Sequence, residues 1–151
     1  MMWRWISAVM LVLLCSSVSA QERIQARLGG HGFELELVRE PEDRRKGLMG
    51  REQLAPDTGM LFDFPAGTTP SIWMRNMHIP LDLLFVDGLG TLVDVFTEVP
   101  PCTGQPCEIY QASQPLRFVI EVPAGTVQRL GLAPGDRIDL SGYQLRPAPP
   151  L

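Results

Sequence analysis

The sequence predicts a mainly β protein: one compact domain, a β-sandwich or barrel of about eight short strands with two short helices. Three observations carry this expectation. Short apolar runs recur with period-two alternation, the spacing that places every second side chain on one face of a strand. Turn signals punctuate the chain at frequent intervals, helped by 14 Gly and 14 Pro in 151 residues. Only two segments carry helical signals, and both are short.

Residues 1–20 are set apart from this domain. Arg4 supplies a positive start, residues 6–15 form an apolar run, and Val18-Ser19-Ala20 has the small-residue pattern of a cleavage site. They read as a secretory signal peptide, which places the protein in the periplasm or outside the cell. An uncleaved anchor, the one membrane association foreseen, is less consistent with Ser16, Ser17 and Ser19 interrupting the run. Lipidation at Cys15 is disfavoured by Leu14 before it. Cleavage leaves 131 residues (151 less 20), assigned as a single domain over residues 21–145 with a flexible tail at 146–151. The remaining 12 basic and 17 acidic residues give a formal charge of −5, against −4 for the whole chain. The longest basic run is Arg44-Arg45-Lys46, so nucleic acid is not expected as a partner.

Taken in order, residues 23–28 and 33–37 alternate apolar and polar around Gly29-Gly30-His31-Gly32, which predicts a β-hairpin with His31 solvated at its tip. Acids then bases along Pro41-Glu42-Asp43-Arg44-Arg45-Lys46 match the helix dipole and predict a short helix over 41–49, with Leu48 and Met49 packed inward. Residues 60–64 read as a strand between two turns. Alternation over 72–77 places Ile72, Met74 and Asn76 on one face and Trp73, Arg75 and Met77 on the other. Pro80 breaks this run, and 81–86 is a nearly continuous apolar strand interrupted by Asp82. A turn at 87–90 returns the chain through 92–99. Residues 100–115 form a long connection holding Cys102 and Cys107. In an exported protein, a close Cys pair on a Pro/Gly loop reads as a disulfide. A strand over 116–122, a helix over 125–130 with Thr126 as its cap, and a last strand over 137–140 complete the domain.

Six short motifs then stand in an order that resembles the DUF192 family. They are Gly47-Leu48-Met49 with Arg51, Gly59-Met60-Leu61-Phe62, Trp73-Met74-Arg75-Asn76, Ile79-Pro80-Leu81-Asp82, Pro101-Cys102, and Glu121-Val122-Pro123-Ala124-Gly125. The resemblance covers roughly residues 24–140. It implies a small, often exported, mainly β domain, and no established activity, cofactor or catalytic residue. Met77 departs from the Thr expected after the Asn of the W-M-x-N motif.

The densest chemistry lies in residues 70–87. Arg51, Trp73, Arg75, Asn76, Asp82 and Glu121 are candidates for binding a small polar ligand, such as a sugar or carboxylate, or a cell-envelope partner, because an aromatic face beside Arg and amide groups suits that task. The same groups also fit a structural role, with Arg51 paired to Asp82 or Glu121. Met74, Met77 and His78 are a weaker Cu(I) alternative to simple core packing. Asp82 and Glu121 as a catalytic carboxylate pair are a third reading. No G-x-S-x-G nucleophile motif or zinc framework is present, and no cofactor is expected.

Overall fold

The structure, a computed structural model, describes residues 21–140 and 142–151. The predicted signal peptide lies outside the described residues. The elements run β1 (Arg23–Leu28), β2 (His31–Val38), α1 (Pro41–Lys46), β3 (Thr58–Asp63), β4 (Ser71–Trp73), β5 (Leu81–Val86), β6 (Leu92–Val99), β7 (Ile109–Gln111), β8 (Phe118–Pro123) and α2 (Thr126–Leu130), followed by a 3-10 turn at Tyr143–Leu145. Six strands form one sheet in the order β1-β2-β3-β8-β5-β6, and β4 pairs with β7 in a separate ribbon. β2 and β3 are parallel, and the other neighbours are antiparallel. The protein is thus mainly β with open sheets rather than a closed barrel. The chain near 137–139 touches both edges of the large sheet, through the isolated bridges Arg27 to Asp139 and Thr91 to Arg137.

Alternation along the central strands explains why both faces of this sheet are buried. In β5, Leu84 and Val86 join one apolar cluster with Leu35, Leu61, Ile120 and Val122. Leu81, Leu83 and Phe85 join a second, with Met60, Phe62 and Val119. The first cluster is covered by α2, Leu132, Ile138, Leu140 and Tyr143. The second is covered by Leu48 and by the β4-β7 ribbon, where Tyr110 meets Phe96 edge-on at 5.3 Å and Phe96 meets Phe85 at 5.6 Å.

Two buried carboxylates fasten the first face. Asp82 accepts backbone N–H bonds from Glu98 and from Val127, both at 2.8 Å. It therefore caps α2 from a neighbouring strand and holds an irregularity in β6, where Glu98 has φ 51°. Asp63 accepts from Arg117 at 2.8 and 3.0 Å and from the Tyr143 hydroxyl at 2.8 Å, which anchors the 3-10 turn. Burial and this hydrogen bond raise the Tyr143 pKa.

Several expectations are corrected. The first helix stops at Lys46, because Gly47 adopts φ 48°; Leu48 is nevertheless buried as expected. The strand expected over 72–77 ends at Trp73, because the chain turns at Arg75 and Asn76, the latter with φ 55°. Met74 and Met77 consequently enter the same cluster rather than opposite faces. The Thr126 hydroxyl does not cap α2: it donates to the Pro123 carbonyl, and Gly125 is the N-cap residue. Residues 137–140 make isolated bridges rather than a strand. β7 and the 3-10 turn carry no clear periodicity and were not anticipated.

Gly59 sets the spacing between β3 and β8: a Cβ there would lie 2.2 Å from the Glu121 carbonyl oxygen. Gly59→Ala is expected to lower stability by at least about 2 kcal/mol through overpacking. Asp82→Ala, which strands two backbone donors, is expected to cost on the order of 3 kcal/mol. Urea unfolding midpoints at constant m-value check both.

Candidate functional site

The cover over the second face is made of two pieces, and a groove runs along the seam between them. α1 and the turn after it form one wall, with Arg44, Arg45, Lys46, Leu48 and Met49; β4, Met77 and Ile109 of β7 form the other. Phe62 from β3 and Glu121 from β8 come from the sheet beneath, and the cavity measures about 410 Å³. Trp73 and Ile109 are paired in register across the ribbon and are 39% and 53% exposed, so the seam ends in an apolar lip. Gly47 lets the chain turn from α1 into this wall, since a Cβ there would sit 3.1 Å from the Phe62 ring.

Glu121 is the chemically unusual group. Its position on β8 alternates with Ile120 and Val122 and matches Val119, so it belongs to the second face. It is 5% exposed and has no hydrogen bond or ion pair among the described residues. Burial alone pushes its pKa up to about 8, which keeps the carboxyl neutral at pH 7. Of the three buried carboxyl residues described, Asp63 and Asp82 are fully partnered and Glu121 is not.

The rim is basic. Arg75 lies over the Trp73 ring, 5.5 Å from its centroid, and neither it nor Lys46 has a carboxylate partner among the described residues. Arg45 pairs with Glu42 at 2.8 Å on the surface. Arg44 is spent on structure: it donates to the carbonyls of Arg39 and Asp63 and lies 5.2 Å from the Phe64 ring centroid. Trp73, Arg45, Lys46 and Met49 are shared with a shallower adjoining depression that also holds Arg75 and Asn76.

The candidate residues therefore separate into two groups. Trp73 and Glu121 line the groove, and Arg75 and Asn76 line the depression that adjoins it at Trp73. Arg51 and Asp82 do neither. Arg51 forms a bidentate pair with Glu36 at 2.7 and 2.6 Å, which holds the Glu36 pKa below its ordinary value, so its pairing with Asp82 or Glu121 is corrected. Asp82 faces the opposite cluster from Glu121. Val122, its register partner, lies in the first cluster and Leu83, the register partner of Glu121, in the second. One bond cannot lie between two carboxyls on opposite faces of a sheet, so the paired-carboxylate reading is withdrawn. For the copper reading, Met74 and Met77 are core residues while His78 is exposed. Cys102 and Cys107 are joined by a disulfide with a Cα separation of 5.6 Å, and the Cys102 N–H donates to the Met74 carbonyl at 3.0 Å, tying the long loop to the turn after β4. Phe62, Phe64, Leu48, Lys46 and Ile109 were not anticipated as site residues. Leu48 and Phe62 stood in the family motifs and Lys46 in the Arg44-Arg45-Lys46 run, which reads equally well as a helix end, while nothing marked Phe64 or Ile109.

A fold and groove of this kind define a small open-sheet β domain. The chain belongs to the DUF192 family, described as an Uncharacterized ACR, which it matches over residues 24–140. It is similar to a solved candidate transcription regulator from Sinorhizobium meliloti 1021, with 38% identity, a TM-score of 0.72, and coverage of 82% of this chain and 96% of that one. It is also similar to a solved protein of unknown function from Novosphingobium aromaticivorans DSM 12444, with 29% identity, a TM-score of 0.71, and coverage of 87% and 94%. No curated protein matches the chain.

The raised Glu121 pKa has a consequence for stability. Below about pH 4.5 the carboxyl is protonated in both folded and unfolded chains and contributes no pH dependence. Between there and about 8 only the unfolded chain ionises, so stability falls as pH rises; above about 8 the loss levels off. The charged groups lining the same groove are Arg44, Arg45 and Lys46. Glu121→Gln is expected to gain on the parent by up to about 1.4 kcal/mol per pH unit across this window. Denaturant unfolding of both proteins from pH 4 to 9 checks it, and parallel curves would show that Glu121 is solvated.

Proposed function

We propose that the protein is an exported binding domain for a small molecule that seats in the groove between α1 and the β4-β7 ribbon. The observation that carries this is Glu121: a neutral, unpartnered carboxyl lining a cavity of about 410 Å³. That volume lies in the ordinary range of ligand sites, about 300–1,000 Å³, and an apolar lining with a few placed polar groups is their usual make-up. Burying a hydrogen-bonding group without a partner is unfavourable, and a ligand that bonds to it removes that cost. Trp73 and Arg75 supply a flat face and a cation at the entrance.

Export rests on residues 1–20 and on the Cys102–Cys107 bridge, since disulfides persist in oxidising compartments. A formal charge of −4 opposes binding to nucleic acid, and the basic residues gather around a groove of small-molecule size.

Thermal-shift screening of the protein against a panel of sugars, carboxylates and aromatic acids tests the reading. A ligand at a hundred times its Kd is expected to add about 2.7 kcal/mol of stability. Trp73→Ala, a change at an exposed lip, is expected to abolish that shift while altering the unliganded midpoint little. No shift with any panel member would overturn small-molecule binding and leave an envelope protein as the occupant.

A further inference from the structure

The rim of the groove runs against the charge of the molecule. The chain carries 17 acidic and 13 basic residues, yet Arg44, Arg45, Lys46 and Arg75 line the groove and its adjoining depression with Glu42 and Glu121 as the acids among the lining residues. Arg45 is partly neutralised by Glu42, and Arg44 is held by backbone carbonyls. Lys46 and Arg75 have no carboxylate partner among the described residues, and both border the depression beside Trp73. The rest of the lining includes Phe62, Phe64, Ile72, Met77 and the neutral Glu121 carboxyl, with Arg44 packed on the Phe64 ring and held by backbone carbonyls. The groove is therefore polarised, with positive charge at its mouth, an apolar middle, and a single uncharged hydrogen-bonding group at its base.

We propose that this groove selects amphipathic monoanions: a ligand whose apolar or aromatic body lies between Trp73 and Phe62, with its negative group toward Lys46 and Arg75 and a hydroxyl or carbonyl reaching Glu121. The inference rests on the small-molecule reading above and adds the charge class and the direction of binding. A cationic ligand of the same shape meets repulsion at the mouth. If it enters in reverse, its ammonium is carried into an apolar setting, where it either stays a buried charge facing a neutral carboxyl or has to ionise Glu121. A ligand with an anion at one end and a neutral hydroxyl at the other satisfies both ends of the groove without a buried charge. The rim cations act at short range and partly in solvent, so selection between charge classes should be moderate and salt-sensitive.

Three probes with one body separate the alternatives: 4-hydroxyphenylacetate, its neutral amide 4-hydroxyphenylacetamide, and the cation tyramine. Binding is measured at pH 6.5 by calorimetry and by NMR line broadening of each probe, with the full chain. The acid is expected to bind at least about tenfold more tightly than tyramine, with the amide between them. Lys46→Gln combined with Arg75→Gln should reduce that preference to about threefold or less while leaving the amide affinity unchanged. Glu121→Leu should weaken the acid and the amide alike, and Glu121→Gln should restore them. Tyramine binding as tightly as the acid, or a preference untouched by the rim substitutions, overturns the anion assignment and leaves the groove a binding site. Failure of all three probes while other panel members bind also overturns it. Failure of every compound overturns the binding reading itself.

Discussion

One sheet has to be buried on both faces, and most of the molecule is arranged to meet that requirement. β5 and β8 have nearly every residue buried, so no polar face is available to solvent at the centre of the sheet. Such a sheet needs two covers. On the first face the cover is continuous, made of α2, the chain through Ile138 and Leu140, and Tyr143. Asp82 and Asp63 pin it from beneath, and each carboxylate meets several donors. These are the arrangements in which a buried charge is tolerated, because the hydrogen bonds replace the lost water.

The second cover is built differently. A six-residue helix and a two-stranded ribbon share it, with the Gly50 N–H bonded to the Asn76 carbonyl at 3.0 Å where their following turns meet, and a cavity is left between them. The groove is the gap between them. Gly47 brings the α1 turn close to Phe62, which lines it. Glu121 lies in that gap, on the one face of the sheet where a buried carboxyl has no donor. The contrast with Asp63 and Asp82 within the same sheet separates a structural carboxylate from a candidate binding group. The disulfide serves the same region indirectly: it constrains the loop that carries β7, and β7 places Ile109 beside Trp73.

Much of this was legible in the sequence. Alternation and turn residues placed all six strands of the large sheet and both helices to within a few residues, because period-two burial is written directly into residue order. The family motifs were legible for the same local reason. Trp73 and Arg75 stood out as chemistry exposed on a strand that packs. Two readings failed at glycine and asparagine positions with positive φ: Gly47 ended the helix early, and Asn76 turned a strand into a tight corner. Backbone conformations of that kind are selected by tertiary contacts as much as by residue type.

Residue order alone determined the class of fold, the β-rich pattern, the pairing of Cys102 with Cys107 and the stretch around Trp73 as chemically dense. It could not determine partners. Arg51, Asp82 and Glu121 looked equivalent as polar residues near apolar runs, and each had a plausible mate. Only the tertiary structure separated them, giving Arg51 to Glu36, Asp82 to two backbone donors, and Glu121 to nothing. The physical reason is that a charge finds its partner across strands far apart in sequence. Strand order and face decide which groups share a side of the sheet, and neither is a local property of the chain.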